Sequence, residues 1–153
     1  FNDSILRKYN GKPTLFHKKL DTNIAILKIF PGMTPQYVQA ILSIPGLKAI
    51  VLETFGSGNA PTEEWFLEAI RQTIESGILV VNVTQCSSGA VVQGKYKTSS
   101  DLAHMGVLGR QDITTEAALA KLMFLLANCS DLESVRAQFI LPLREEMTLF
   151  DWN

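Results

Sequence analysis

A chain of 153 residues, 46% apolar and 19% charged, is long enough to bury one real core and too apolar to stay disordered. Fourteen basic against fifteen acidic residues give a net charge of −1, which removes the electrostatic case for a nucleic-acid or membrane-surface partner. Cys86 and Cys129 lie far apart without metal-type spacing, so an intracellular protein with free thiols is expected rather than a disulfide scaffold.

The densest apolar run, Ile78 to Val83, has the length of a strand and not of a membrane span. No signal-peptide pattern is visible, and the start at Phe1 reads as a cut or processed end of something larger. Residues 1–23 read as an interdomain segment ahead of an α/β domain over 24–153. The Asn10-Gly11 pair predicts a turn in that segment, and Thr14 to His17 has edge-strand character.

Ile24 to Phe30 is a nearly continuous apolar run, as expected of a strand covered on both faces. Pro31-Gly32 ends it. Thr34 then offers an N-cap side chain, and Pro35 takes the first helical position, where its missing N–H costs nothing. Val38, Ile41 and Leu42 give this helix its apolar stripe, and Pro45-Gly46 stop it.

Ala49 to Thr54 predicts the second strand, followed by the loop Gly56-Ser57-Gly58-Asn59 and a helix from about Thr62 to Ser76. Phe66, Ile70 and Ile74 share one face of that helix, and Gly77 is a natural stop. Ile78 to Thr84 predicts the third strand. A long polar loop is expected from Gln85 to Ser100, and Met105 to Leu108 reads as a short fourth strand. The next helix, Thr114 to Leu126, is apolar on almost every side except Lys121 and is expected to be buried, in part against another chain. Ser130 and Glu133 form an S-x-x-E capping box for a last helix reaching Phe139, and the tail from Pro142 reads as irregular.

This alternation predicts a small three-layer α/β domain: a parallel sheet of about four strands with helices on both faces. In such a sheet every strand's carboxyl end lies on one edge, here gathering Phe30 to Thr34, Glu53 to Asn59 and Thr84 to Cys86. Glu53 follows apolar strand residues directly. A buried, unpaired carboxylate there is costly, so it is expected to meet a cation, a donor cluster or solvent, in a structural pair or at a ligand.

Asn59 either caps the following helix or aims its amide at a ligand. Cys86 has no basic neighbour in sequence, so a small buried thiol is expected rather than an activated nucleophile. Thr84 offers a hydroxyl without a local base. His17 and His104 belong to no metal or triad pattern, and the glycine loop lacks the lysine and spacing of phosphate-binding or dinucleotide-binding loops. No metal or cofactor set is predicted, and spacing alone yields a ligand-capable domain without a complete catalytic set.

Longer motifs carry more. Glu53-Thr54-Phe55-Gly56-Ser57-Gly58-Asn59-Ala60-Pro61 resembles the strand-loop signature of the smaller, C-terminal domain of bacterial-type L-asparaginases. Val81-Asn82-Val83-Thr84-Gln85-Cys86-Ser87-Ser88-Gly89 is similar to the next strand and loop of the type I, cytoplasmic branch. Asp112 to Leu122 resembles that family's late helix, and Leu143-Arg144-Glu145-Glu146-Met147-Thr148 its closing motif, with Glu145 where a glycine is usual.

The resemblance implies hydrolysis of L-asparagine to L-aspartate and ammonia by a threonine nucleophile that sits in a separate N-terminal domain. The Thr-Gly-Gly-Thr and Gly-Thr-Asp-Thr motifs of that domain are absent from this sequence. The isolated chain is therefore expected to be inactive, with its own N-terminal domain and a homo-oligomer partner as the implied companions. Asn59 is the residue the resemblance carries to a neighbouring subunit's active site. A regulatory asparagine site is also implied, lined by Thr84 and Cys86. The arginine usual there is replaced by Glu53, so cooperativity is expected to be lost or altered. The related glutamyl-tRNA amidotransferase subunit and a free-standing ligand-binding module are the alternatives.

Overall fold

A computed structural model describes residues 11, 13, 15–86, 89–91, 97–109 and 112–148. Within these, three parallel strands lie in the order β1 (Ile24–Lys28), β2 (Ala49–Thr54), β3 (Leu79–Thr84). Helices α1 (Pro35–Leu42) and α2 (Glu64–Glu75) make the crossovers, and α3 (Lys97–His104), α4 (Thr115–Asn128) and α5 (Leu132–Phe139) follow. The α/β expectation holds, with helices on both faces of the sheet.

Each face has its own core, because successive strand residues point to opposite sides. Ala49, Val51, Leu79, Val81 and Val83 pack against Ala118, Leu122 and Leu125 of α4 and Val135 and Phe139 of α5. Leu27, Ile50, Leu52 and Val80 pack on the other side against Val38 of α1, Phe66 and Ile70 of α2 and Leu102 of α3.

Local chemistry sets the helix ends. Thr34 caps α1 by accepting a hydrogen bond from Tyr37 N, with Pro35 in the first position, as the sequence predicts. Thr114 caps α4 in the same way through Ala117 N. The capping-box expectation for α5 shifts by one residue. Its N-cap is Asp131, whose Oδ1 accepts from Ser134 N, while Ser130 Oγ donates to Asp131 Oδ2. A carboxylate has two acceptor oxygens, so Asp131 binds the helix end and the serine together.

Several expectations change. The fourth strand shrinks to one parallel bridge, Val81 with Leu108, because Gly106 turns the chain at φ 98° and leaves too short an extended stretch. Strand β1 is covered unevenly: Leu27 is buried on the α1 side, while on the α4 side Ile24 is only partly buried against the core. The strand forms the sheet edge, and Ile26, on the α4 side, is 41% exposed. The last residues of the predicted polar loop, from Lys97, instead begin α3, which is held by Leu102 in the core beside α2. Ser87, Ser88 and Gly94 to Tyr96 of that loop lie outside the described residues. Residues 15–20 form no strand and run beside α4, where His17 packs edge-on against Phe124 and Asn128 Nδ2 donates to Lys19 O.

The largest reversal is Lys121. The sequence made it the polar exception on an otherwise apolar α4, yet it is buried. Its ammonium lies 2.6 Å from Glu146 Oε1 and 2.6 Å from Leu141 O, with the Phe139 ring 5.2 Å away. Burial pulls the Lys121 pKa below its usual value, and Glu146 only partly restores it. The irregular tail is therefore wrapped over the lysine, not splayed from it.

Candidate functional site

The carboxyl ends of the three strands meet on one edge, as a parallel sheet requires. Gln85 ties that edge together: its Nε2 donates to Ile29 O at 2.8 Å and to Glu53 O at 3.0 Å. Two separate features are built there, a closed loop and a cavity.

The loop leaves β2 at Phe55 and returns on itself. Phe55 N donates to Asn59 O at 2.9 Å, and Asn59 N donates to Phe55 O at 2.8 Å, closing an antiparallel bridge. Gly58 makes the reversal at φ 107°, buried against Val91 and Asn82. A Cβ at this position would stand 2.9 Å from Val91 Cγ1, so only glycine fits. Both main-chain groups of Asn59 are committed to Phe55, which leaves the carboxamide as its chemical contribution. Asn59 is not a helix cap. The α2 N-cap is Glu63, four residues further on.

The cavity, of about 340 Å³, lies on the α4 side of the sheet edge. Glu53, Thr84 and Cys86 all line it, so the structure brings together the three candidates separated in sequence. Glu53 is not unpaired. Lys28, its register partner across β1 and β2, places Nζ 3.3 Å from Oε2, and Thr115 Oγ1 donates to Oε1 at 2.5 Å. The carboxylate that looked anomalous in the sequence thus has both a cation and a hydroxyl donor.

Thr84 is a junction. Its Oγ1 donates to Gly56 O at 2.5 Å and accepts from Cys86 N at 3.0 Å, so one hydroxyl binds the closed loop to the wall of the cavity. That turn directs the chain outward, which corrects the expectation for Cys86: its thiol is exposed, not buried. Gly89 packs tightly on the same threonine, where an added Cβ would lie 3.1 Å from Thr84 Cγ2.

The opposite wall comes from the start of α4, with Asp112, Thr114, Thr115 and Glu116. Asp112 accepts from Thr148 N at 2.6 Å and from Thr148 Oγ1 at 2.7 Å. Burial pushes its carboxyl up, but these bonds outweigh that and hold it below the usual range. Three carboxylates and one amine make the lining acidic, while the N-terminus of α4 offers partial positive charge.

Residue-by-residue reading missed Lys28, Gln85 and Thr115. Lys28 and Glu53 share a sheet face, but that becomes visible only once the register is known. Among the described residues no group of His, Cys, Asp and Glu is arranged to hold a metal ion, and no helix is long and apolar enough to cross a membrane.

Comparison with known proteins now applies to this geometry. The model of the Glutaminase/Asparaginase C-terminal domain matches residues 23–139. L-asparaginase 1 of Escherichia coli strain K12 is 42% identical, over 94% of this chain and 44% of that protein. The human 60 kDa lysophospholipase is 39% identical, over 96% of this chain and 26% of that protein. A glutamyl-tRNA(Gln) amidotransferase component of Sulfurisphaera tokodaii is related at 33% identity, over 89% of this chain and 29% of that protein.

The crystal structure of L-asparaginase I from Vibrio cholerae superposes with a TM-score of 0.79 at 39% identity, covering 86% of this chain and 39% of that one. The chain thus spans less than half the length of the relatives it matches. By the match over residues 23–139, the identity to these relatives and the superposition, the chain belongs to the Glutaminase/Asparaginase C-terminal domain family, on the pattern of the type I bacterial L-asparaginases.

Proposed function

We propose that this chain is the C-terminal domain of a cytoplasmic L-asparaginase that hydrolyses L-asparagine to L-aspartate and ammonia. Its own part is to support dimerisation and to lend Asn59 to the active site of a neighbouring subunit. The observation that carries this reading is the family match across residues 23–139, which contains the closed Phe55–Asn59 loop at the sheet's carboxyl edge. A rigid loop holding a carboxamide suits the task of fixing a bound amino acid by hydrogen bonding.

The nucleophile belongs to the partner domain, so the 153-residue chain by itself has no activity. The test compares ammonia release from L-asparagine by this chain and by the full-length protein that carries it. Activity of the chain alone overturns the reading. In the full-length protein, Asn59→Ala raises KM or lowers kcat with the unfolding temperature kept; unchanged kinetics remove Asn59 from the site.

One observation favours an additional role: Glu53, Thr84 and Cys86 line a single cavity large enough for an amino acid. In this reading the cavity is an effector site with altered chemistry. Its acidic lining opposes an effector's carboxylate and suits an ammonium, while Lys28 already neutralises part of Glu53. The expected consequence is lost cooperativity, measured as a hyperbolic dependence of rate on L-asparagine. A sigmoidal dependence overturns it.

A further inference from the structure

Strand β3 is apolar at Leu79, Val80, Val81 and Val83 and polar at Asn82, which is 2% exposed and lies on the α1 and α2 side. Its Oδ1 accepts from Thr54 Oγ1 at 2.7 Å, and Thr54 is itself fully buried. Its Nδ2 is buried without a hydrogen-bond partner. Turning the amide over does not cure this. Thr54 then donates to Val83 O, 3.2 Å away, and accepts from the amide, but the carbonyl oxygen takes up the same unpaired position.

A buried polar atom without a partner costs about 1–3 kcal/mol, so stability of this domain alone favours an apolar residue at position 82. The unpaired end lies directly under the closed loop: a Cβ built on Gly58 would stand 3.4 Å from Nδ2. Gly58 is the residue before Asn59, and Thr84, two residues along the same strand, grips Gly56 O from the other end of the loop.

We propose that Asn82 is a positioning residue for Asn59. Held by Thr54, its carboxamide forms the polar seat on which Gly58 rests, and it sets the height and direction of the loop that presents Asn59. The polarity at position 82 serves the assembled site, where the spare amide group gains a partner from the loop or from water brought in with the substrate. This rests on the reading that Asn59 contacts substrate.

The experiment uses the full-length protein and L-asparagine, with Asn82→Leu, Asn59→Ala and the double variant. The shape-matched leucine keeps the core filled. Asn82→Leu is expected to raise KM or lower kcat by about tenfold, since small misplacements at a site are costly. The double variant is expected to be no worse than Asn59→Ala alone, because Asn82 acts only through Asn59.

Unchanged kinetics in Asn82→Leu, whatever its unfolding temperature, overturn the proposal, as do effects that multiply in the double variant. Should Asn82→Leu not fold, Thr54→Val carries the same expectation, since it releases the same amide at equal volume. Normal kinetics in Asn59→Ala would instead show that the underlying reading of Asn59 has failed.

Discussion

Lys121 Nζ lies 2.6 Å from Glu146 Oε1, and this pair fastens the closing segment of the chain to the middle of α4. The lysine side chain is 2% exposed and the glutamate 15%, so the pair is shielded from screening by water. Glu146 in turn accepts from Leu143 N and Arg144 N, which shapes the segment into a tight turn around its own carboxylate. Leu141 O and Met147 Sδ complete the shell around the ammonium.

Removing one partner strands the other. Glu146→Ala leaves a buried ammonium without its counter-charge and is expected to cost about 3–5 kcal/mol in urea unfolding. The double change Lys121→Met with Glu146→Gln removes both charges and is expected to cost distinctly less than Glu146→Ala alone. If the double variant proves as unstable as the sum of the single ones, the pair is not a coupled unit.

The same pair predicts an acid response. Burial raises the Glu146 carboxyl, but the bonds from Leu143 N, Lys121 and Arg144 N outweigh it and bring its pKa from 4.5 to about 2. The unfolded chain therefore binds the proton first, and stability is present above 4.5 and lost as pH falls from 4.5 towards 2. Asp112 and Asp131, both held below their usual range, act in the same direction. The urea midpoint measured across this window falls with pH in the parent sequence, and Glu146→Gln flattens the slope. An equal slope in both would reject the assignment to Glu146.

Glu145, which the resemblance places where a glycine is usual, has φ 63°, the one positive value among the described non-glycine residues. A side chain in this left-handed region costs about 1–2 kcal/mol, part of which glycine returns as unfolded-state entropy. Glu145→Gly is expected to stabilise the chain by up to about 1 kcal/mol, while Glu145→Ala keeps the backbone cost. Thermal unfolding of both variants checks this; equal unfolding temperatures would show that position 145 stores no strain.

Much of the framework was legible because local rules reach only a few residues. Thr34 followed by Pro35 marks a helix start by itself, and the runs Ala49 to Leu52 and Leu79 to Val83 mark buried parallel strands. The helix α3 was not legible. Lys97 to His104 has only Leu102 and Ala103 as apolar residues, and what holds it is Leu102 packing on residues from β2, β3 and α2. The cap of α5 was misplaced by one residue because Ser130 and Asp131 are both good cap formers, and only their mutual hydrogen bond decides between them.

The sequence by itself determined the three strands and the helices α1, α2, α4 and α5 in their order and, through its longer motifs, the family. Tertiary structure alone decided what Glu53 is. Its partners Lys28 and Thr115 come from other elements, the latter 62 residues away in sequence. The same holds for Lys121, an exception on a helical wheel that becomes a buried anchor once Glu146 folds over it. Periodicity and capping act between near neighbours along the chain. Whether a charge is paired depends on register and packing between distant segments, and only the folded chain supplies those.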